Sequence, residues 1–286
     1  MHIACRFANV EMVHLILENT PNFDATVEAY QDWTIFHYLA LNEDPRVAKL
    51  ILDTFRYEHK VVRNGVGEYF TMIHLAVAFG FKDTIKFLLQ SEHMIAFNIE
   101  EKGDNHKRTI LHTACNKRDM EIVDLVIKAL EKIGSEIDLD TLDDFPSTPL
   151  QLACTNNSSD VAVQLLKRFP QKIHILGRLN KHVLHYACMN QNLPLLKYIF
   201  GNSELDIDFN VVDGFGMTPL HLACSSDFEG GIKLFLENVE EKGIDITKKD
   251  NYGRTARRLF MQRHNSYTPG YGDILELFDQ CAVDEI

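Results

Sequence analysis

Positive charge is what this chain has little of. Its 286 residues carry 29 Lys and Arg against 41 Asp and Glu, a formal net charge of -12. That balance argues against nucleic acid and anionic membranes as main partners, since both are polyanions. No apolar run approaches the roughly 18 residues of a membrane span, so membrane insertion is not expected. The chain does not open on the basic-then-apolar pattern of a secretory leader. Pro/Ser/Gly-rich linkers and low-complexity stretches are also missing. Neither a glycine-rich phosphate loop nor a Gly-x-Ser-x-Gly elbow occurs, and the carboxylates are scattered as on a solvated face. Hydrophobic residues at 45% and charged residues at 24% are ordinary for a soluble globular chain.

What is present is a recurring phrase: a small polar residue, two apolar residues, His, any residue, Ala, then often Cys. It reads Met-Thr-Pro-Leu-His-Leu-Ala-Cys at 217–224, Arg-Thr-Ile-Leu-His-Thr-Ala-Cys at 108–115 and His-Val-Leu-His-Tyr-Ala-Cys at 182–188. Variants lie at 33–40, 70–76 and 147–154, a tail at 1–5 and a worn copy at 254–260. The His column falls at His2, His37, His74, His112, Gln151, His185, His221 and Arg258, with successive differences of 35, 37, 38, 39, 34, 36 and 37. A fixed period in this range means a repeat array. One continuous solenoid over 1–286 is expected, held mainly by contacts between neighbouring units.

Residues 213–239 show what a unit contains. Asp213-Gly214-Phe215-Gly216 is a turn, with Gly216 free to take positive φ. Thr218 can cap a helix with its hydroxyl, and Pro219 sits where a missing N–H costs nothing. Leu220, Leu222, Ala223 and Cys224 make a short apolar helix, and Ile232, Leu234, Phe235 and Leu236 a second. Similar second helices follow every copy of the phrase, which makes eight units.

These residues resemble the ankyrin repeat family, whose unit is a β-turn and two antiparallel helices with a Thr-Pro-Leu-His-x-Ala signature. The resemblance implies an all-α solenoid of helix-turn-helix repeats with hairpin loops. The repeats fall at about 1–28, 29–65, 66–103, 104–142, 143–176, 177–212, 213–249 and 250–286. The first is truncated, which suggests an excerpt of a longer protein. The last, with Arg254, Arg257, Arg258 and Arg263, reads as a polar cap closed by a helix over Asp273–Gln280 after a loop at 265–272. Lys107, Pro146, Asn180, Tyr69 and Asp32 replace the turn glycine. Only Asn among them readily accepts positive φ, so those turns are expected to differ in shape. The acidic segment Glu131–Asp144 is the longest insertion.

Cys5, Cys115, Cys154, Cys188 and Cys224 share one register. Stacked helices lie about 8–10 Å apart, beyond the Cα separation of about 7 Å that a disulfide allows. Small buried thiols in a reducing compartment are expected, hence the cytoplasm or nucleus. His-x-x-Cys occurs four times, but metal binding needs about four converging ligands. No metal, cofactor or catalysis is expected. The resemblance instead gives His37, His74, His112, His185 and His221 a structural role, bonding the backbone of the neighbouring turn, with Gln151 a partial mimic.

The resemblance also implies protein–protein binding on a concave surface of turn tips and first helices. One expected column precedes the signature Thr: Trp33, Phe70, Arg108, Ser147, Lys181, Met217 and Arg254. Another follows the Ala-Cys pair: Phe7, Leu41/Asn42, Phe79, Asn116, Thr155, Met189 and Ser225. Aromatic anchors carry much interface energy, so Phe7, Trp33, Phe70 and Phe79 are the leading contact group. Phe145, Phe215 and Tyr252 at other tips, with Met217 and Arg254, form a second set. The acidic charge favours a basic partner, and no small-molecule ligand is expected. Asn210 matches the turn Asn that members often present for hydroxylation. Rival readings are a regulatory part of a larger channel, kinase or ubiquitin ligase, a transcription-factor inhibitor, or a microbial or viral effector.

Overall fold

The computed structural model describes residues 1–29, 33–55, 62–63, 69–90, 99, 102, 107–135, 137, 139–155, 158–263 and 270–283. The turn position Asp32 and residues 264–269 of the predicted C-terminal loop lie outside them, as does the side chain of Phe70. The chain divides into two compact units, 1–145 and 146–286.

The first unit contains α1 (His2–Phe7), α2 (Val10–Asn19), α3 (Ile35–Leu39), α4 (Pro45–Thr54), a two-residue antiparallel pair β1 (Val62–Arg63) and β2 (Tyr69–Phe70), α5 (Met72–Phe79), α6 (Lys82–Gln90), α7 (Ile110–Asn116) and α8 (Met120–Lys132). First helices stack in the order α1, α3, α5, α7, and second helices as α2, α4, α6, α8. The second unit repeats the plan with α9 (Pro149–Thr155), α10 (Ser159–Arg168), α11 (Val183–Met189), α12 (Leu193–Gly201), α13 (Pro219–Ser225), α14 (Glu229–Leu236), a short α15 (Val239–Lys242), α16 (Ala256–Arg263) and α17 (Tyr271–Val283). Here α9, α11, α13 and α16 make one layer and α10, α12, α14 and α17 the other.

Helices of four to thirteen residues are too short to persist alone. Their stability comes from the apolar seam between layers. Ile35, Leu39, Ile51, Met72, Ile85 and Leu88 are fully buried in the first unit, as are Leu195, Leu196 and Phe235 in the second, with Phe278 nearly so. Each such side chain contributes about 1.5–3 kcal/mol by leaving water. Local chemistry sets the helix starts. Asn9, Asp44, Asp119 and Asn192 each accept a backbone N–H of the following turn.

Three expectations need correcting. Lys107 takes the left-handed conformation that glycine usually supplies at this position, with φ 52°. Asn180 does the same at φ 55°, together with its neighbour Leu179 at 58°. Leu41 and Asn42, expected on the open face, are buried. The Asn42 amide donates to the carbonyls of Cys5 and Ala8 at 2.9 and 3.0 Å, capping the exposed end of α1. The acidic insertion is partly helix: α8 runs on to Lys132.

Candidate protein-binding face

Four first helices, α3, α5, α7 and α13, open on a pair made by Thr and His. Thr218 Oγ1 lies 2.7 Å from His221 Nδ1, and the Thr218 N–H donates to that same nitrogen at 3.2 Å. Thr34/His37 and Thr109/His112 repeat the arrangement, and Thr71 Oγ1 meets His74 Nδ1 at 2.7 Å. Because Nδ1 accepts, the ring proton sits on Nε2. From there His185 donates to Met217 O at 3.0 Å and His221 to Arg254 O at 2.9 Å, each in the next turn. Gln151 copies both halves, accepting from Thr148 N and donating to Ile175 O. The sixth repeat puts His182 where Thr stands elsewhere, and its N–H donates to His185 Nδ1 at 2.9 Å. Burial pushes His182 down to about 3, helped by the charge of His185, and pushes His185 down to about 4. Burial lowers His221 as well. These are neutral structural rings.

A second column was not read from the sequence as a site. Asp143, Asp213 and Asp250 lie five residues before the box position, with fully buried carboxylates. Asp213 Oδ1 accepts from Phe215 N and Met217 N, and Asp250 Oδ1 from Tyr252 N and Arg254 N. The second oxygen takes a cation from the column that precedes the signature Thr. Arg108 reaches Asp143 at 3.1 Å, Lys181 reaches Asp213 at 2.6 Å, and Arg254 reaches Asp250 of its own turn at 2.7 Å. Burial opposes ionisation of Asp213, but the Lys181 ammonium and the turn amides outweigh it and hold the carboxyl below the usual range. Lys181 and Arg254 therefore brace the turns. The signal was legible as Asp-Gly-x-Gly, but its cation sits one repeat away in two of three cases.

Backbone rungs join successive turns of the second unit. Arg178 N donates to Pro146 O, Gly214 N to Leu179 O and Asn251 N to Phe215 O, at 2.8, 2.7 and 3.0 Å. The rungs place Leu179, Phe215 and Tyr252 at the same point of three consecutive turns, where they stay 47%, 42% and 70% exposed. Leu179 joins this row through its register, which its apolar character alone did not reveal. Arg254 stacks over Tyr252 at 4.8 Å. Met217 is half-buried. Phe145 is exposed at the last turn of the first unit.

The leading aromatic group is not one patch of four exposed rings. Phe7 is 71% exposed, and Phe79 is exposed and stacks on Phe81. Trp33 is half-buried, its ring packed edge-on against Tyr38 at 5.4 Å and near His37. Asn210 is held from both ends of its amide: Nδ2 donates to Gly243 O and Oδ1 accepts from Asp245 N, both at 2.7 Å. The five cysteines of the register are buried thiols whose pKa values, where shifted, are pushed up by burial. Among the described residues no three His, Cys, Asp or Glu side chains converge as metal ligands, and no helix is long and apolar enough to cross a membrane.

Models of ankyrin repeats match this sequence over 36–138 and 73–177 in a three-copy form, and over 1–52 and 184–236 in a many-copy form. Rabankyrin-5 of Mus musculus is 24% identical over 186 residues, 65% of this chain and 15% of its own length. The nuclear factor NF-kappa-B p105 subunit of Gallus gallus is 21% identical over 182 residues, 63% of this chain and 18% of its own length. The chain thus spans under a fifth of either relative. The crystal structure of the ankyrin repeat domain of Bcl-3, a member of the IkappaB protein family, matches with a TM-score of 0.58 and 17% identity, over 84% of this chain and 93% of that one. At that identity the likeness shows the fold alone.

Proposed function

Because the chain belongs to the ankyrin repeat family, whose members generally act as protein–protein interaction modules, we infer that it is a non-enzymatic module gripping a segment of a partner protein on its turn tips and first helices. The observation that carries this reading is the row Leu179, Phe215 and Tyr252. Three large apolar side chains stay in water at equivalent points of turns tied together by backbone rungs. Exposed apolar groups placed this regularly mark interaction surfaces. The His boxes and buried Asp pairs hold the row in place.

Affinity capture with mass spectrometry tests the reading, comparing wild type with folded Phe215→Ala/Tyr252→Ala and Phe7→Ala/Phe79→Ala variants. We expect the first variant to lose the partner and the second to keep it. Loss with the second variant alone moves the site to the N-terminal repeats. A wild-type chain that captures no partner overturns the reading. A second reading draws on the short share of rabankyrin-5 and p105 that the chain spans: the array serves as the regulatory part of a longer protein or masks a transcription factor. We also propose a cytoplasmic or nuclear setting, and Asn210 as a hydroxylation position. An intact mass lacking an added oxygen after exposure to an asparaginyl hydroxylase removes the latter.

A further inference from the structure

The net charge of the chain hides a local reversal. The turns and first helices of repeats six to eight, residues 177–189, 213–225 and 249–263, hold seven Lys and Arg side chains and two carboxylates, a net charge of +5 within a chain of -12. Both carboxylates, Asp213 and Asp250, have fully buried side chains already spent on Lys181 and Arg254. Every solvent-facing charge of this strip is therefore positive. Arg178, Lys249, Arg258 and Arg263 are exposed and pair with no carboxylate among the described residues. Leu179, Phe215 and Tyr252 run through the same strip.

Resting on the protein-binding reading above, we propose that this strip docks an extended acidic segment of a partner protein, with an apolar side chain at every third position and carboxylates between. Charge complementarity selects the acidic character, against the basic partner that the net charge alone suggests. The spacing follows from the stack. Neighbouring helices lie about 8–10 Å apart, and a polyproline II chain, which brings every third side chain to one face, advances about 9 Å in three residues. Every third side chain of such a segment meets one turn tip, with the intervening residues over Arg178, Lys249 and Arg258. The acidic remainder of the molecule repels the same segment, which confines docking to this strip. A nucleic acid strand is the disfavoured occupant. It would bring a long polyanion against the acidic surfaces flanking the strip, and three of the seven cations are already paired, Arg257 with Asp279 at 2.8 Å.

The test uses the whole chain and fluorescence anisotropy with a labelled Leu-Pro-Glu repeat peptide of about 15 residues, whose prolines hold it extended. Controls are Leu-Pro-Lys and Ser-Pro-Glu repeats and oligothymidine. We expect the Leu-Pro-Glu peptide to bind at least about tenfold more tightly than either peptide control and to weaken as salt rises. Charge reversal at Arg178→Glu/Arg258→Glu should cost about tenfold or more, and so should Phe215→Ala/Tyr252→Ala, while Phe7→Ala/Phe79→Ala changes nothing. Circular dichroism melting checks each variant. If the aromatic variant does not fold, the charge-reversed one decides, since its side chains are exposed. Equal or tighter binding of the lysine peptide or oligothymidine overturns the proposal, as does no binding of the acidic peptide or binding untouched by charge reversal. A partner captured from lysate alongside such a result leaves the protein-binding reading standing and removes only this one.

Discussion

In the boxes of His185 and His221 one imidazole serves two neighbours, and it can do so only when neutral. Its Nδ1 takes the N–H of the cap residue while its Nε2–H reaches the next turn, as in His185 and His221. A second proton on Nδ1 would face the cap N–H. The unfolded chain binds that proton near pH 6.5, while folded His185 and His182 hold off to about 4 and about 3. Stability is therefore full above about pH 6.5 and falls as pH drops, by about 1.4 kcal/mol per pH unit for each ring until its folded value is reached. The urea midpoint should be lower at pH 5 than at pH 7, and His182→Thr should flatten that dependence by restoring the usual box. Asp213 offers a second residue-scale prediction. Asp213→Ala strands the Lys181 ammonium, which is 12% exposed, and two turn amides. It should cost about 3–5 kcal/mol in urea unfolding, and Asp213→Asn less, because an oxygen still meets the amides. If the two variants cost the same, the turn amides contribute nothing and the ion pair carries the whole loss.

Short helices were legible here because their start signals lie within four residues: Thr or Asn caps, Pro in the first turn, an apolar stripe behind. The turns were less so. Backbone conformation at one position depends on what the neighbouring turn supplies, and Lys107 is forced to φ 52° with no local sequence cue. A side chain there carries a cost of about 1–2 kcal/mol. Lys107→Gly should raise the melting free energy by a few tenths to about 1 kcal/mol despite losing the exposed pair with Asp144. Gly216→Ala tests the converse. At φ 73°, an added Cβ would press on the side-chain oxygen of Asn251 and come within 3.0 Å of its backbone nitrogen. A loss of more than about 1 kcal/mol is expected, together with weaker amide protection at the Asn251–Phe215 rung.

On the scale of the molecule, stability is a chain of nearest-neighbour terms, because among the described residues the main contacts of each helix are with adjacent repeats and its own partner. Leu196→Ala, deleting a fully buried side chain of α12, should cost about 2–5 kcal/mol. Amide exchange should speed up first in α10, α11 and α14, which pack on α12, and less in α16. Uniform loss of protection across 146–286 would instead mean that this unit unfolds as one body. Net charge belongs to this scale too. A value of -12 says nothing of where the cations gather, and the burial of Asp213 and Asp250 leaves every solvent-facing charge in the strip of repeats six to eight positive.

By itself the sequence determined the repeat, its register, the helix pairs and the burial of the Cys column, because periodic apolar spacing and caps act over a few residues. Only the tertiary structure decided that Trp33 is half-buried, that Asn42 is a buried bracket, that Lys181 is bound by the next turn and Arg254 by its own, and that Leu179 belongs with Phe215 and Tyr252. Each of those outcomes rests on contacts between residues brought together by the stack, a repeat apart or across one turn, and spacing along the chain does not specify which of two nearby groups a side chain will meet.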